Sequence, residues 1–253
     1  MPYVNNQGIA IYYEVEGQGP PIMLAHGAAG DISYWRGYGY VEQLTAEYQV
    51  ILFDARGHGR SAKPHAVEAY APEKMMGDAL LILDTLKIDS AHFWGYSMGS
   101  YTGMTMAYRC PERVRSVIVG GGHPYEVDGS GLLRLWQLGI EQGADAVVEA
   151  MRRQMTVSPQ FEARLRSLDF HAQSACIQGA SRPKSLAEHL PWMKTPVLFY
   201  CGDQEDAFPL AQKAAQTLPD AQIFGLPNLD HGSASAAVAL IMPRVKAFLA
   251  QIP

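Results

Sequence analysis

Cysteine is scarce in this chain of 253 residues: Cys110, Cys176 and Cys201 are the three present. Their odd number and wide spacing argue against a disulfide framework, and no Cys-X-X-Cys pair is available for a metal. Positive charge is not in excess either, with 20 Lys and Arg against 25 Asp and Glu and a net charge of −5. Nucleic acid and anionic membranes call for a basic face, so neither is expected as a partner. No apolar run is long enough to span a bilayer, and Met1-Pro2-Tyr3-Val4-Asn5-Asn6 lacks the basic cluster and apolar stretch of an export signal. These absences lead to the expectation of a soluble protein in a reducing cytoplasm. No internal repeat, low-complexity tract, glycine-rich phosphate loop or nucleotide fingerprint is found, and no metal or organic cofactor is expected.

What is present is an ordinary globular mixture, 48% hydrophobic and 18% charged, sized for one α/β domain with a small inserted lid. Strand-like runs alternate with amphipathic segments. Ile9 to Glu16, Pro21 to Ala25, Tyr48 to Phe53, Ala91 to Trp94, Val114 to Val119 and Pro196 to Cys201 read as strands, and a further strand ends near Leu226. Helices are expected at Pro72 to Lys87, Met98 to Arg109, near Leu210 to Leu218, and from about Ala236 to Ala250. Such alternation implies a mostly parallel sheet covered on both faces. Between two of the strands the pattern turns helical, as in Leu132 to Gln142, Ala144 to Met155 and Pro159 to Leu168. We read residues 123–189 as a helical cap inserted into a core made of residues 1–122 and 190–253. Its large apolar groups, Trp136, Met151, Met155, Phe161, Phe170 and the flanking Trp192, are expected mostly to pack the cap onto the sheet, with a few lining a pocket.

Gly95-Tyr96-Ser97-Met98-Gly99 follows a predicted strand directly and precedes a predicted helix. A bare Gly-X-Ser-X-Gly is often an accidental glycine-serine turn, but this is the context a nucleophile elbow requires, with small residues where neighbouring backbone comes close. Serine is a poor nucleophile at neutral pH and needs a base to take its proton.

Together with this elbow, His26-Gly27-Ala28-Ala29-Gly30 and Asp54-Ala55-Arg56-Gly57-His58-Gly59-Arg60-Ser61 make the chain resemble the α/β-hydrolase fold superfamily over essentially its whole length. The similarity is greatest to compact serine esterases and lactonases of the enol-lactonase-like and acyl-homoserine-lactonase-like kinds. The resemblance implies Ser97 as nucleophile and His231, in the loop Asn228-Leu229-Asp230-His231-Gly232 before the last helix, as general base. His26, His58, His65, His92, His123, His171 and His189 fall outside that loop and are assigned structural or surface roles. In Gly202-Asp203-Gln204-Glu205-Asp206-Ala207-Phe208-Pro209 the family spacing selects Glu205 as the acid that orients the base. Asp206 is the rival after one residue of slippage, and Asp203 reads as a turn residue. The resemblance also implies an oxyanion hole from the main-chain N–H groups of Ala28 and Met98.

The expected reaction is acyl transfer to water from a small-molecule ester or lactone with an apolar portion. Serine at the elbow disfavours the dehalogenase and epoxide-hydrolase branches, which use aspartate there. Carbon-carbon bond hydrolysis and cofactor-free perhydrolysis stay open on the same triad, as does a hydrolase-fold receptor or scaffold with little turnover. Oligomeric state is not legible from the sequence.

Overall fold

The computed structural model describes residues 2–180 and 186–252. Residues 181–185, within the segment read as the cap, lie outside the described residues. Among the described residues the strands are β1 (Tyr3–Asn6), β2 (Ile9–Glu16), β3 (Pro21–Ala25), β4 (Gln49–Phe53), β5 (Ala91–Tyr96), β6 (Val114–Gly120), β7 (Val197–Gly202) and β8 (Ala221–Leu226). They form one sheet in the order β1-β2-β4-β3-β5-β6-β7-β8. β2 pairs antiparallel with β1 and β4, and every later neighbour is parallel.

Parallel strands joined by crossovers need cover on both faces, and the alternation of side chains along each strand supplies it. Met23 and Ala25 of β3 and Val117 and Val119 of β6 face one cluster, with α3 (Pro72–Leu86), α4 (Met98–Arg109) and α9 (Ala207–Thr217). Ile22 and Leu24 of β3, Trp94 and Tyr96 of β5 and Tyr200 of β7 face the opposite cluster. There they meet Trp35 of α1 (Ser33–Gly37), Tyr40 and Leu44 of α2 (Tyr40–Leu44), and Ile241, Val245 and Phe248 of α11 (Val238–Leu249). A one-residue slip of register would exchange the two sets, so burial on both sides pins the pairing.

Between β6 and β7 the chain forms α5 (Ser130–Gln142), α6 (Ala144–Arg152), α7 (Pro159–Arg166) and α8 (Phe170–Ala180). Leu135, Trp136, Val147, Val148, Met151 and Leu165 make a core of their own, which meets the sheet domain at Ala29. α7 begins where Ser158 accepts the Phe161 amide and Pro159 occupies the first helical position, a favoured start. α8 packs on Tyr70 and Met75 and sends the Gln173 amide to the Gly57 carbonyl at 2.9 Å.

Several boundaries differ from expectation. β5 runs two residues past Trp94 to Tyr96, because Gly95 and Tyr96 still pair with Val119 and Gly120. α6 ends at Arg152, and α8 was not anticipated: its buried face is Ala172, Gln173, Ser174, Ala175, Cys176 and Gly179, which carries no large apolar period. The expectation that Trp192 packs the cap fails, since it is 80% exposed.

Candidate active site

All the parallel strands end their carboxyl termini on one edge. The sheet order places β3 between β4 and β5, so the chain steps from β3 to β4 on one side and then crosses back past β3 to β5 on the other, and ligands bind in the crevice such a reversal opens. The loops after β3, β5, β6, β7 and β8 carry His26 to Gly30, Ser97, Gly121, Glu205 and His231 respectively.

Ser97 connects β5 to α4 with φ +51°, a left-handed conformation that a serine adopts only when its surroundings impose it. Two of those constraints are glycines. A Cβ at Gly95 would fall 2.2 Å from the Gly99 carbonyl carbon, and one at Gly99 would fall 2.1 Å from the Ala25 carbonyl oxygen. The Ser97 amide is tied to the Gly120 carbonyl at 2.8 Å, while its own carbonyl accepts the Ser100 hydroxyl at 2.6 Å. Met98 opens α4, so its amide has no carbonyl four residues back to bond to. Ala28 is half-buried and lines the same space as Ser97.

His231 stands at the first position of a short helix, α10 (His231–Ser235), and not within the loop itself. Asp230 caps this helix reciprocally: its carboxylate accepts the Ser233 amide, and the Ser233 hydroxyl accepts the Asp230 amide. His231 Nδ1 lies 2.6 Å from Glu205 Oε2, and the Glu205 side chain is 3% exposed. The other carboxylate oxygen accepts the Gly202 amide at 2.6 Å, so both oxygens are engaged. Asp206 is exposed at the wall of the cavity, and Asp203 accepts the Asn228 amide in the turn expected of it. The structure thus joins Glu205 rather than Asp206 to the histidine. Among the described residues the Ser97 hydroxyl forms no hydrogen bond to the His231 ring, although both line one cavity; contacts of this type commonly tighten only with substrate bound.

Several residues around this ring were not anticipated. The Tyr96 hydroxyl donates to the His231 carbonyl, and its ring lies 5.1 Å from the imidazole. Gly121, at φ +56°, passes so close that a Cβ there would sit 2.9 Å from His231 Cε1. The Tyr40 hydroxyl holds the Ser235 carbonyl at 3.0 Å. From the helical insertion, the Thr156 amide and hydroxyl donate to Asp230 Oδ2 at 3.0 and 2.9 Å. Burial would raise the Asp230 carboxyl, but the bonds from Ser233 and Thr156 outweigh it and hold it down to about 2. Tyr96 and the Gly120-Gly121-Gly122 run beside the elbow were visible in the sequence, but their partners are distant in the chain.

His26 and His58 are buried and neutral. Burial pushes His26 down to about 4 and His58 to about 3. The Ala55 amide donates to His26 Nε2 at 3.1 Å, which leaves Nδ1–H to donate to the Gly27 carbonyl at 2.8 Å. These rings hold the loops in place.

Ser97 and His231 border two cavities of about 460 and 150 Å³. Ala28, Leu132 and Met155 also line both. Met151, Phe161 and Trp136 of the insertion face the smaller one. Among the described residues no group of His, Cys, Asp and Glu is arranged to hold a metal ion, and no helix is long and apolar enough to cross a membrane.

Comparison with known proteins agrees with this architecture. The chain is 31% identical to 3-oxoadipate enol-lactonase 2 of Acinetobacter baylyi over 79% of its own length and 77% of that protein. It is 37% identical to a protein of Azorhizobium caulinodans provisionally named carbamate hydrolase RutD, over 48% of this chain and 44% of that one, so the chain spans less than half of that relative. The crystal structure of the enol-lactonase from Burkholderia xenovorans LB400 superposes with a TM-score of 0.87 at 25% identity, covering 98% of this chain and all of the other. Residues 20–150 match the sequence profile of the α/β hydrolase fold. With its reversed sheet, its strained serine turn and these relatives, the chain belongs to the α/β-hydrolase fold family.

Proposed function

We propose that this protein is a serine hydrolase that cleaves a carboxylic ester or lactone through an acyl-enzyme. Ser97 Oγ attacks the carbonyl while His231 takes its proton, and Glu205, bonded to Nδ1–H, fixes the tautomer and stabilises the imidazolium. The N–H groups of Met98 and Ala28 receive the negative charge on the carbonyl oxygen, where one such donor is worth about 3 kcal/mol. His231 then protonates the leaving oxygen and activates water for the second half. Residues 123–189 serve as the lid that encloses the substrate.

The observation that carries this reading is the 2.6 Å contact between His231 and a carboxylate buried behind it, at the edge of a cavity that Ser97 also lines. Serine at the elbow favours acyl transfer over epoxide opening. The similarity to an enol-lactonase over most of both chains favours ester or lactone over other acyl bonds. Hydrolysis of short p-nitrophenyl esters tests it. The expected result is turnover by the native chain and its loss in Ser97→Ala and in His231→Ala, with both variants folded. Turnover that survives in folded Ser97→Ala refutes the mechanism, and ligand-induced thermal stabilisation without any turnover points to a binding module instead.

A further inference from the structure

The two cavities beside Ser97 differ in charge. Among the described residues the larger is bordered by the carboxylates of Glu126, Glu205, Asp206 and Asp230 and by no lysine or arginine. Among the described residues the smaller has no carboxylate on its wall and one arginine or lysine, Arg164 of α7, which is 7% exposed. An arginine keeps its charge at any ordinary pH, and a buried charge is normally paired. Arg56, the other buried arginine among the described residues, meets that rule, with two hydrogen bonds to Asp78 at 2.7 and 2.6 Å.

Arg164 does not meet it. Among the described residues no carboxylate oxygen lies within 4.0 Å of its guanidinium. Nη1 reaches the Ser33 hydroxyl at 3.4 Å, the Phe161 ring covers one face at 5.5 Å, and among the described residues Nε is buried with no acceptor and Nη2 makes no hydrogen bond. The Nε–Nη2 edge is the fork that accepts a carboxylate side-on through two parallel bonds. Asp31, the acid next along the loop, is occupied with the Ser33 amide. A second buried N–H without an acceptor, on Trp136, belongs to another residue of the same wall.

We propose that Arg164 is a specificity-determining anion site: the preferred substrate is an ester or lactone bearing a carboxylate on a short arm, which pairs with Arg164 in the 150 Å³ cavity while the reacting carbonyl lies at Ser97. The neutral remainder occupies the larger cavity. This deepens the acyl-transfer reading and rests on it.

The test uses matched pairs of esters, monomethyl glutarate with methyl pentanoate and O-acetylglycolate with ethyl acetate, and places the carboxylate on the acyl side in one pair and on the alcohol side in the other. One charged ester should exceed its neutral partner in kcat/KM by roughly tenfold or more. Arg164→Gln should erase that preference while the neutral esters change little, and Arg164→Lys should restore part of it. Thermal melting checks that each variant is folded. Charged esters no better than neutral ones in the native chain, or an equal loss on both in folded Arg164→Gln, overturn the anion site and leave acyl transfer standing. If none of the four esters is cleaved, calorimetric titration of glutarate decides the site separately. Binding that Arg164→Gln abolishes supports it, and no binding to the native chain refutes it.

Discussion

At position 97 the chain holds a serine in left-handed backbone, and the immediate cause is the absence of side chains at Gly95 and Gly99. The same logic applies across the cavity at Gly121, where the missing Cβ leaves space for the His231 ring. Gly121→Ala should therefore lower kcat sharply in a protein that still folds, because the added methyl strains φ +56° and displaces the imidazole; ester turnover beside a melting curve measures both effects. Glu205 and Asp206 are separated by one residue and by their environments, one buried against His231 and the other in solvent. Glu205→Gln should reduce kcat by about 10³–10⁴-fold through loss of the correct tautomer, whereas Asp206→Asn should stay within a few-fold. A greater loss in the aspartate variant would reassign the acid.

Among elements, the connection that matters most is between the helical insertion and α10. The segment after α6 binds Asp230 through the Thr156 amide and hydroxyl, and Gly232 lies so close that a Cβ there would fall 2.1 Å from the Thr156 carbonyl oxygen. The residue before and the residue after His231 are thus both held by the insertion. Thr156→Val removes one of the two bonds and leaves the amide, so the expected cost is about 1 kcal/mol in denaturant unfolding, low because Thr156 is exposed. Its effect on kcat should exceed its effect on KM, since the strap orients the base more than it touches substrate. Equal changes in both would mean the strap only shapes the pocket. On the other side of the sheet, Asp78→Ala would strand the Arg56 guanidinium, which also donates to the Ala69 and Lys74 carbonyls. Breaking a buried pair from one end costs about 3–5 kcal/mol, readable as a large drop in the unfolding midpoint.

For the molecule as a whole, three buried imidazoles contribute to a loss of stability in acid. Burial pushes His26 and His92 to about 4 and His58 to about 3. An unfolded histidine protonates near 6.5. Above that pH neither state binds these protons; below it the unfolded chain takes them up while the native rings stay neutral. The contribution of these rings is therefore complete above about pH 6.5 and falls as pH drops from there toward 4 and 3, at a limit of about 1.4 kcal/mol per pH unit for each ring. Urea unfolding at pH 7.5 and 5.0 checks the direction. His92→Gln, far from Ser97 and bonded to the Ser116 hydroxyl, should flatten the slope without changing turnover.

The strands from β2 onward and the longer helices of the sheet domain were legible because each is written locally, whereas β1 was not anticipated. Ile9 to Glu16, Pro21 to Ala25 and Met98 to Arg109 begin and end where apolar period, glycine and proline place them. The elbow was legible for the same reason, since its five residues are contiguous. α8 was not, because small and polar side chains fill its buried face, and neither were the five-residue helices α1 and α2, too short to show a period. Chain order alone determined which residue types are available to the chemistry: one serine in a strained turn, one histidine before the last helix, and two adjacent acids. Folding decided which acid reaches the ring, that Thr156 braces it, and that Arg164, with no carboxylate partner among the described residues, lines a cavity it shares with Ser97. Hydrogen bonds and charge pairing act over a few ångströms between residues tens of positions apart, a proximity that exists only once the sheet and its insertion have packed.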